Sequence, residues 1–165
     1  MDKYLINKLK ESSSIPDIFE IVKESVWNTI KKSRAGLELG LVELGNAPNS
    51  FLGAYYVSGS NIIIMNQTPL RRIQETNSNL LIPYIFSILL HEYIHSLGYF
   101  NEEFAKKITY EISCYIFGDY SIIADIARDM RKFFPNFIYP EGAPKIDSQI
   151  KIVKDFDKSN IRYIG

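Results

Sequence analysis

Two histidines and a glutamate carry the clearest chemical signal in the chain. Residues 91 to 95 read His-Glu-Tyr-Ile-His. On an α-helix, residues four apart share one face, one turn above the other. Imidazoles so placed can turn their ring nitrogens to a common point and grip one Zn²⁺ at about 2.0–2.1 Å. Glu92 is rotated by roughly 100° from His91, so it stands beside such an ion without ligating it. A carboxylate there acts as a general base. It takes a proton from a water at the metal's open position, whose pKa falls to about 7, as that water attacks a carbonyl.

His91 and His95 are the only histidines in the chain. The bland alternative is two structural histidines and a solvent-facing glutamate. The surrounding residues speak against it. No charge occupies Leu90, Tyr93, Ile94, Ser96 or Leu97. Phe86, Leu89, Leu90, Tyr93 and Leu97 fall opposite the histidines, while Ile88 and Ile94 flank them. A helix apolar nearly all round is covered on several sides, and imidazoles and a carboxylate buried there without partners are costly.

The helix that carries these residues is predicted to start between Asn79 and Pro83, because proline is tolerated in a first turn. It runs to Gly98, a natural stop. Asn101 is a good N-cap for a second helix, with Glu102 and Glu103 in its first turn and an end near Phe117-Gly118. A further helix is expected over roughly Tyr120 to Phe134. Upstream, Ile18, Phe19, Val22, Val26, Trp27 and Ile30 recur at helical spacing from Pro16 to about Ser33. A shorter helix is expected over residues 2 to 10. Leu37 to Leu44 alternates as a strand, Asn46 to Ser50 is loop chemistry, and Phe51–Val57 and Asn61–Met65 read as a hairpin through Ser58-Gly59-Ser60. Gln67 to Glu75 fits a short helix. The order of helix, strands, then helices gives an α+β domain.

At 165 residues the chain fits a single domain, 1–165, and 46% apolar with 13% aromatic residues is globular composition. Lys+Arg and Asp+Glu each count 19, and this balance argues against a nucleic-acid partner. Cys114 is the lone cysteine, which rules out an intrachain disulfide and a CxxC zinc ribbon; a small buried side chain is its expected role. The charged N-terminus lacks the apolar stretch of a secretory signal. The longest mainly apolar run, Leu80 to Leu90 with Ser87 inside it, is eleven residues, too short to cross a bilayer. A soluble, cytoplasmic protein is expected, with no membrane partner; its oligomeric state is not legible.

The stretch Leu-Leu-His91-Glu92-Tyr-Ile-His95-Ser-Leu-Gly98 on a central helix resembles the zincin metallopeptidases. The preceding long helix, sheet and hairpin, and the following acidic helix, are similar to small gluzincins, the minigluzincins. The resemblance covers roughly Pro16 to Gly118 in element order and is specific over His91 to about Glu102. It implies a zincin-like fold: a mixed sheet backed by the long helix, with an edge strand that lines the cleft and holds an extended peptide. Phe51 to Met65 is the candidate for that strand, an ordinary hairpin being the alternative.

A catalytic zinc takes a third protein ligand and keeps one open position. Metzincins would place that ligand at Asn101, a weak ligand and a strong cap. Gluzincins take a glutamate from the next helix, which leaves Glu102, Glu103 and Glu111. Ala105, Ile108 and Ile112 mark the buried face of that helix; Glu103 points away from it, and Glu102 and Glu111 flank it. His95 lies three residues before Gly98, so the metal should sit level with the first turns of the second helix. At about 1.5 Å per residue Glu111 lies past that level. Glu102 is therefore the preferred ligand, with dipole compensation as its other role. Glu111 stays open as the alternative, because Glu111-Ile-Ser-Cys-Tyr-Ile-Phe-Gly118 resembles the run after the zinc glutamate in thermolysin-type enzymes.

The expected activity is a zinc-dependent metallopeptidase that hydrolyses peptide bonds, with Zn²⁺ on His91, His95 and Glu102, Glu92 as base, and a peptide or protein substrate. The alternatives are an inactive zinc-binding interaction module and a non-peptidase metal hydrolase. An oxyanion-stabilising tyrosine is expected from outside the motif, with Tyr139 and Tyr163 as candidates. The tail, 135–165, is a candidate cover for the active site, with simple packing as the alternative.

Overall fold

The computed structural model describes residues 1–44, 51–138 and 149–158. Among them the chain forms seven α-helices and a small mixed sheet, an α+β arrangement. Helix α1 (Lys3–Glu11) leads into α2 (Ile15–Ile30). Ser14 starts α2 by accepting the Asp17 N–H at 3.2 Å, and Pro16 sits in the first turn, where its missing N–H costs nothing. Ile18, Phe19, Val22 and Val26 are buried as the periodicity predicts. Trp27 is a correction: it is 49% exposed, and its ring lies under the Lys31 ammonium.

Strand β1 (Glu38–Val42) pairs in parallel with β4 (Ile62–Asn66), and β4 pairs antiparallel with β3 (Ala54–Tyr56). The expected hairpin through Ser58-Gly59-Ser60 is thus β3–β4. Its first arm is shorter than the sequence suggests. Phe51–Leu52 parts from it as β2 and pairs in parallel with β5 (Phe137–Ile138). The break falls at Gly53, where an added Cβ would come within 3 Å of side-chain atoms of Phe137, Ile88 and Tyr84. Only glycine lets the strand run so close to the helix behind it. The buried Asn66 secures the junction: its Oδ1 accepts N–H groups from Leu44 and Thr68, and its Nδ2 donates to Leu52 O. The expected loop at Asn46 to Ser50 lies outside the described residues.

Alternation splits the sheet. Leu39, Ala54, Ile63 and Met65 join the main core with α2 and the central helix, whereas Val42, Tyr55 and Ile64 form a small cluster on the other face. Helix α3 (Gln67–Thr76) follows β4, and a single 3₁₀ turn, Ser78–Leu80, leads into α4 (Leu81–Ser96). Helix α4 is buried at every position from Tyr84 to Ser96. Phe19 meets Tyr93 edge-on at 5.5 Å, and Phe86 meets Phe117 edge-on at 5.0 Å. Covered on these sides, α4 is the axle of the domain.

Gly98, at φ +105°, turns the chain out of α4. Helix α5 (Glu102–Phe117) then begins with Asn101 accepting the Phe104 N–H at 2.8 Å. The single helix expected over 120–134 is instead two, α6 (Ile122–Arg128) and α7 (Met130–Phe133). Asp129 leaves helical geometry at φ −148° and caps α7 by accepting the Lys132 N–H. A short acid that caps well has outcompeted continuation.

Of the tail, β6 (Lys151–Ile152) adds antiparallel to β1, so the sheet runs β3-β4-β1-β6. Phe156 then stacks on Phe19 at 4.0 Å, and Asp157 accepts from Lys23 Nζ at 2.6 Å and Gly36 N at 3.0 Å. The tail's described end therefore docks at the sheet edge opposite β3. Its start, Phe137, walls the region beside α4. Cys114 is half-buried, not buried as expected. No helix among the described residues is long and apolar enough to cross a membrane.

Candidate metal centre

One helix turn stacks the two imidazoles and the next element supplies a carboxylate. His91 and His95 are 4% and 8% exposed, with Nε2 atoms 3.1 Å apart. Gly98 reverses the chain, and Asn101 fixes the start of α5 so that Glu102 faces back. Its Oε1 lies 2.5 Å from His95 Nε2, and its Oε2 lies 3.1 Å from His91 Nε2. Glu103 is 84% exposed beside Lys106. Glu111 is 60% exposed and pairs at 4.0 Å with Lys107. The structure thus brings Glu102 to the histidines and leaves Glu103 and Glu111 on the surface. Asn101 serves as a cap.

These three side chains meet as a donor set. His95 Nδ1 lies 2.7 Å from the Tyr99 carbonyl, which can only accept. The proton therefore sits on Nδ1, and the neutral ring presents the Nε2 lone pair to the cluster. Lone pairs of nitrogen and carboxylate oxygen facing one another at these distances repel unless a proton or a cation lies between them. A tetrahedral ion with bonds of about 2.0–2.1 Å has ligand-to-ligand edges of about 3.3 Å. The separations of 3.1, 3.1 and 2.5 Å are of that order. The residues fit such a group.

The electrostatics point the same way. Burial holds the His91 pKa below its ordinary value, against the opposing pull of Glu102. Burial also pushes His95 down, but the Glu102 hydrogen bond, the Glu92 charge and the Tyr99 carbonyl outweigh it, and the net shift is upward. Burial would raise the Glu102 carboxyl, yet contact with both imidazoles holds it well below the usual carboxylate range.

Glu92 is 4% exposed, and ligand atoms of His91, Glu92 and His95 all lie within 4.8 Å of one another. Burial pushes its carboxyl up to about 8, opposed by the charge of His95 and by the Tyr56 N–H. That N–H donates to Glu92 Oε2 at 2.6 Å. In an antiparallel pair alternate residues turn their N–H groups outward. Val57 N–H bonds to Ile62 O inside the β3–β4 pair, so Tyr56 N–H faces α4. Arg34 braces this strand, donating to Tyr56 Oη at 2.9 Å, Ser60 O at 2.7 Å and Ser96 O at 2.8 Å.

Sequence reasoning missed both backbone partners, the Tyr56 amide and the Tyr99 carbonyl. Any residue supplies these groups, so residue type carries no trace of them; only the position of Tyr99, just past Gly98, hinted at a returning turn. The oxyanion candidates Tyr139 and Tyr163 lie outside the described residues. No family model matches the chain, and neither a curated protein nor a solved structure matches it.

Proposed function

We propose that the protein is a zinc-dependent hydrolase of the gluzincin kind that cleaves peptide bonds. Zinc would be held by His91, His95 and Glu102. The observation that carries this reading is the convergence of three metal-binding side chains within 3.3 Å, with a buried carboxylate next to them. When bound, zinc supplies Lewis acidity that polarises a carbonyl and acidifies a water.

The rest falls to the chain's own residues. The Tyr99 carbonyl keeps the proton of His95 on Nδ1, so that Nε2 stays a donor of electrons. Glu92 is the proton carrier: one oxygen is tethered by the Tyr56 N–H, leaving the other to accept a proton from the attacking water and deliver it to the leaving amine. A carboxyl raised by burial binds that proton more readily than an exposed glutamate does.

Support for a peptide substrate comes from β3, the terminal strand of its sheet, which lies directly beside Glu92. An extended chain laid along an edge strand is positioned by backbone hydrogen bonds, independent of its sequence. The retained base favours an enzyme over a metal-binding interaction module, because a purely structural site has no use for it.

Metal analysis of the purified protein should return one zinc per chain. Glu92→Gln should keep the metal and lose cleavage of a mixed peptide library by roughly 10²–10⁴-fold. Zinc-loaded wild type inactive on every peptide would defeat the peptidase reading, and iron in place of zinc would defeat the choice of metal.

A further inference from the structure

A narrow cavity opens beside Glu92 and His91, between α4, α5 and the start of the tail. It leaves about 10 Å³ for the centre of a water molecule, which is room for roughly one water. Much of its lining is small or apolar: Ala54, Ile88, Ala127 and Met130. Two residues on its wall break that character. Ser87 from α4 and Thr109 from α5 are 2% and 3% exposed. Neither hydroxyl has a hydrogen-bond partner among the described residues. Helical Ser and Thr commonly satisfy themselves on the carbonyl one turn back, as Ser113 does on Thr109 O at 2.7 Å. Ser87 and Thr109 do not, although both line the same small space. A buried hydroxyl left unpaired is costly, so the pair calls for a polar occupant.

We propose that this cavity is a side-chain subsite of the cleft, shaped for a short side chain ending in a hydroxyl, with serine as the type. This rests on the reading that a peptide lies beside His91 and Glu92. A hydroxyl both donates and accepts, as two unpaired hydroxyls require of one guest. Lys106, which pairs with Glu103 at 3.3 Å, also lines the cavity. Desolvating a carboxylate in so small a space costs more than desolvating a hydroxyl, which favours a neutral guest over an aspartate. Space for about one water admits a hydroxyl and rejects leucine or phenylalanine, because overpacking a dense wall forces it to shift. Alanine fits but leaves Ser87 and Thr109 unsatisfied.

The test uses the full zinc-loaded chain and blocked amino-acid amides of serine, alanine, aspartate and leucine. Occupancy is read from the methyl resonances of Ile88, Ala127 and Met130. Serine amide should bind about tenfold tighter than alanine amide, the worth of one net hydrogen bond, and tighter than the aspartate and leucine amides. Thr109→Val with Ser87→Ala should level serine and alanine. Thr109→Val alone, which keeps the shape, should do so in part if the double variant folds poorly. Met130→Ala should admit leucine. Equal binding of serine and alanine in the wild type would mean that the hydroxyls serve a resident water, and would overturn the subsite. So would a preference for leucine or aspartate, or binding of none of the four. A parallel cleavage assay separates the two readings. Peptides cut with a bulky residue in this pocket sink the subsite and leave the hydrolase. Serine-selective binding with no cleavage sinks the peptidase and leaves the subsite.

Discussion

Glu92 and Asp157 are both buried acids, 4% and 0% exposed, at opposite edges of the same sheet. Asp157 is matched: Lys23 Nζ at 2.6 Å neutralises it and Gly36 N–H adds a second donor. Lys23 in turn touches Glu20 at 2.8 Å. Glu92 receives one backbone N–H, and burial lifts its carboxyl to about 8. A paired, hydrogen-bonded acid fastens the tail to α2. An acid with one tether and no ion pair to a lysine or arginine among the described residues keeps an oxygen for chemistry. Incomplete satisfaction next to a candidate metal cluster, and not burial as such, is what distinguishes the acid proposed as the base from the structural one.

The contrast can be broken from either side. The largest effect is expected at the cluster itself. A complete structural zinc site is worth about 10–16 kcal/mol, so loss of one ligand should cost on the order of a thousandfold in affinity. His91→Ala measured by competition with a chelator checks this, and Asp157→Ala should leave that affinity unchanged.

The second effect is on stability against pH in the metal-free protein. The folded Glu92 pKa is raised above its unfolded value, so the folded state binds the proton more tightly. Stability should then fall as pH rises from about 4.5 to about 8, by on the order of 3–5 kcal/mol, and level off above. Glu92→Gln should flatten that fall in urea titrations; a slope that survives the substitution would assign it to other groups.

The third concerns the matched acid. Asp157→Ala strands a lysine that is 14% exposed but still holds Glu20, and should cost about 2–3 kcal/mol. For a chain of this size that is a drop in Tm of about 5–10 °C. The smallest effect is expected at Lys158, whose ammonium contacts Asp17 at 2.7 Å on the surface. The lysine holds the Asp17 carboxyl down at about 2. Its contribution should be present above about pH 4 and vanish as pH falls through about 2, and Lys158→Ala should change stability by no more than about 1 kcal/mol.

What the sequence made legible was local. Helix α4 was readable because its apolar residues run unbroken around the histidines, and Gly98 with Asn101 marked a tight turn between two helices. From that turn the level of Glu102 could be worked out before Glu111 was seen to face solvent. Long-range choices were not readable. Gly53 lies in a run that alternates like one strand, and the reason for its break, the approach of Phe137, Ile88 and Tyr84, comes from distant elements. Asp129 sits in a helical pattern, and its preference for capping wins because α6 and α7 each find their own packing. Trp27 has the right phase for the core yet lies at its rim, where its indole meets Lys31. Ser87 and Thr109 carry no signal in the sequence, since a hydroxyl on a helix ordinarily bonds the carbonyl one turn back, and only the fold leaves theirs unpaired.

The central claim is that His91, His95 and Glu102 together hold one zinc ion, and zinc titration of the metal-free protein by calorimetry tests it most directly. One site per chain is predicted in the wild type, weakened by more than about a hundredfold in Glu102→Gln and unchanged in Glu111→Gln. Absence of zinc binding in the wild type, or loss of it in Glu111→Gln while Glu102→Gln binds normally, would contradict the account.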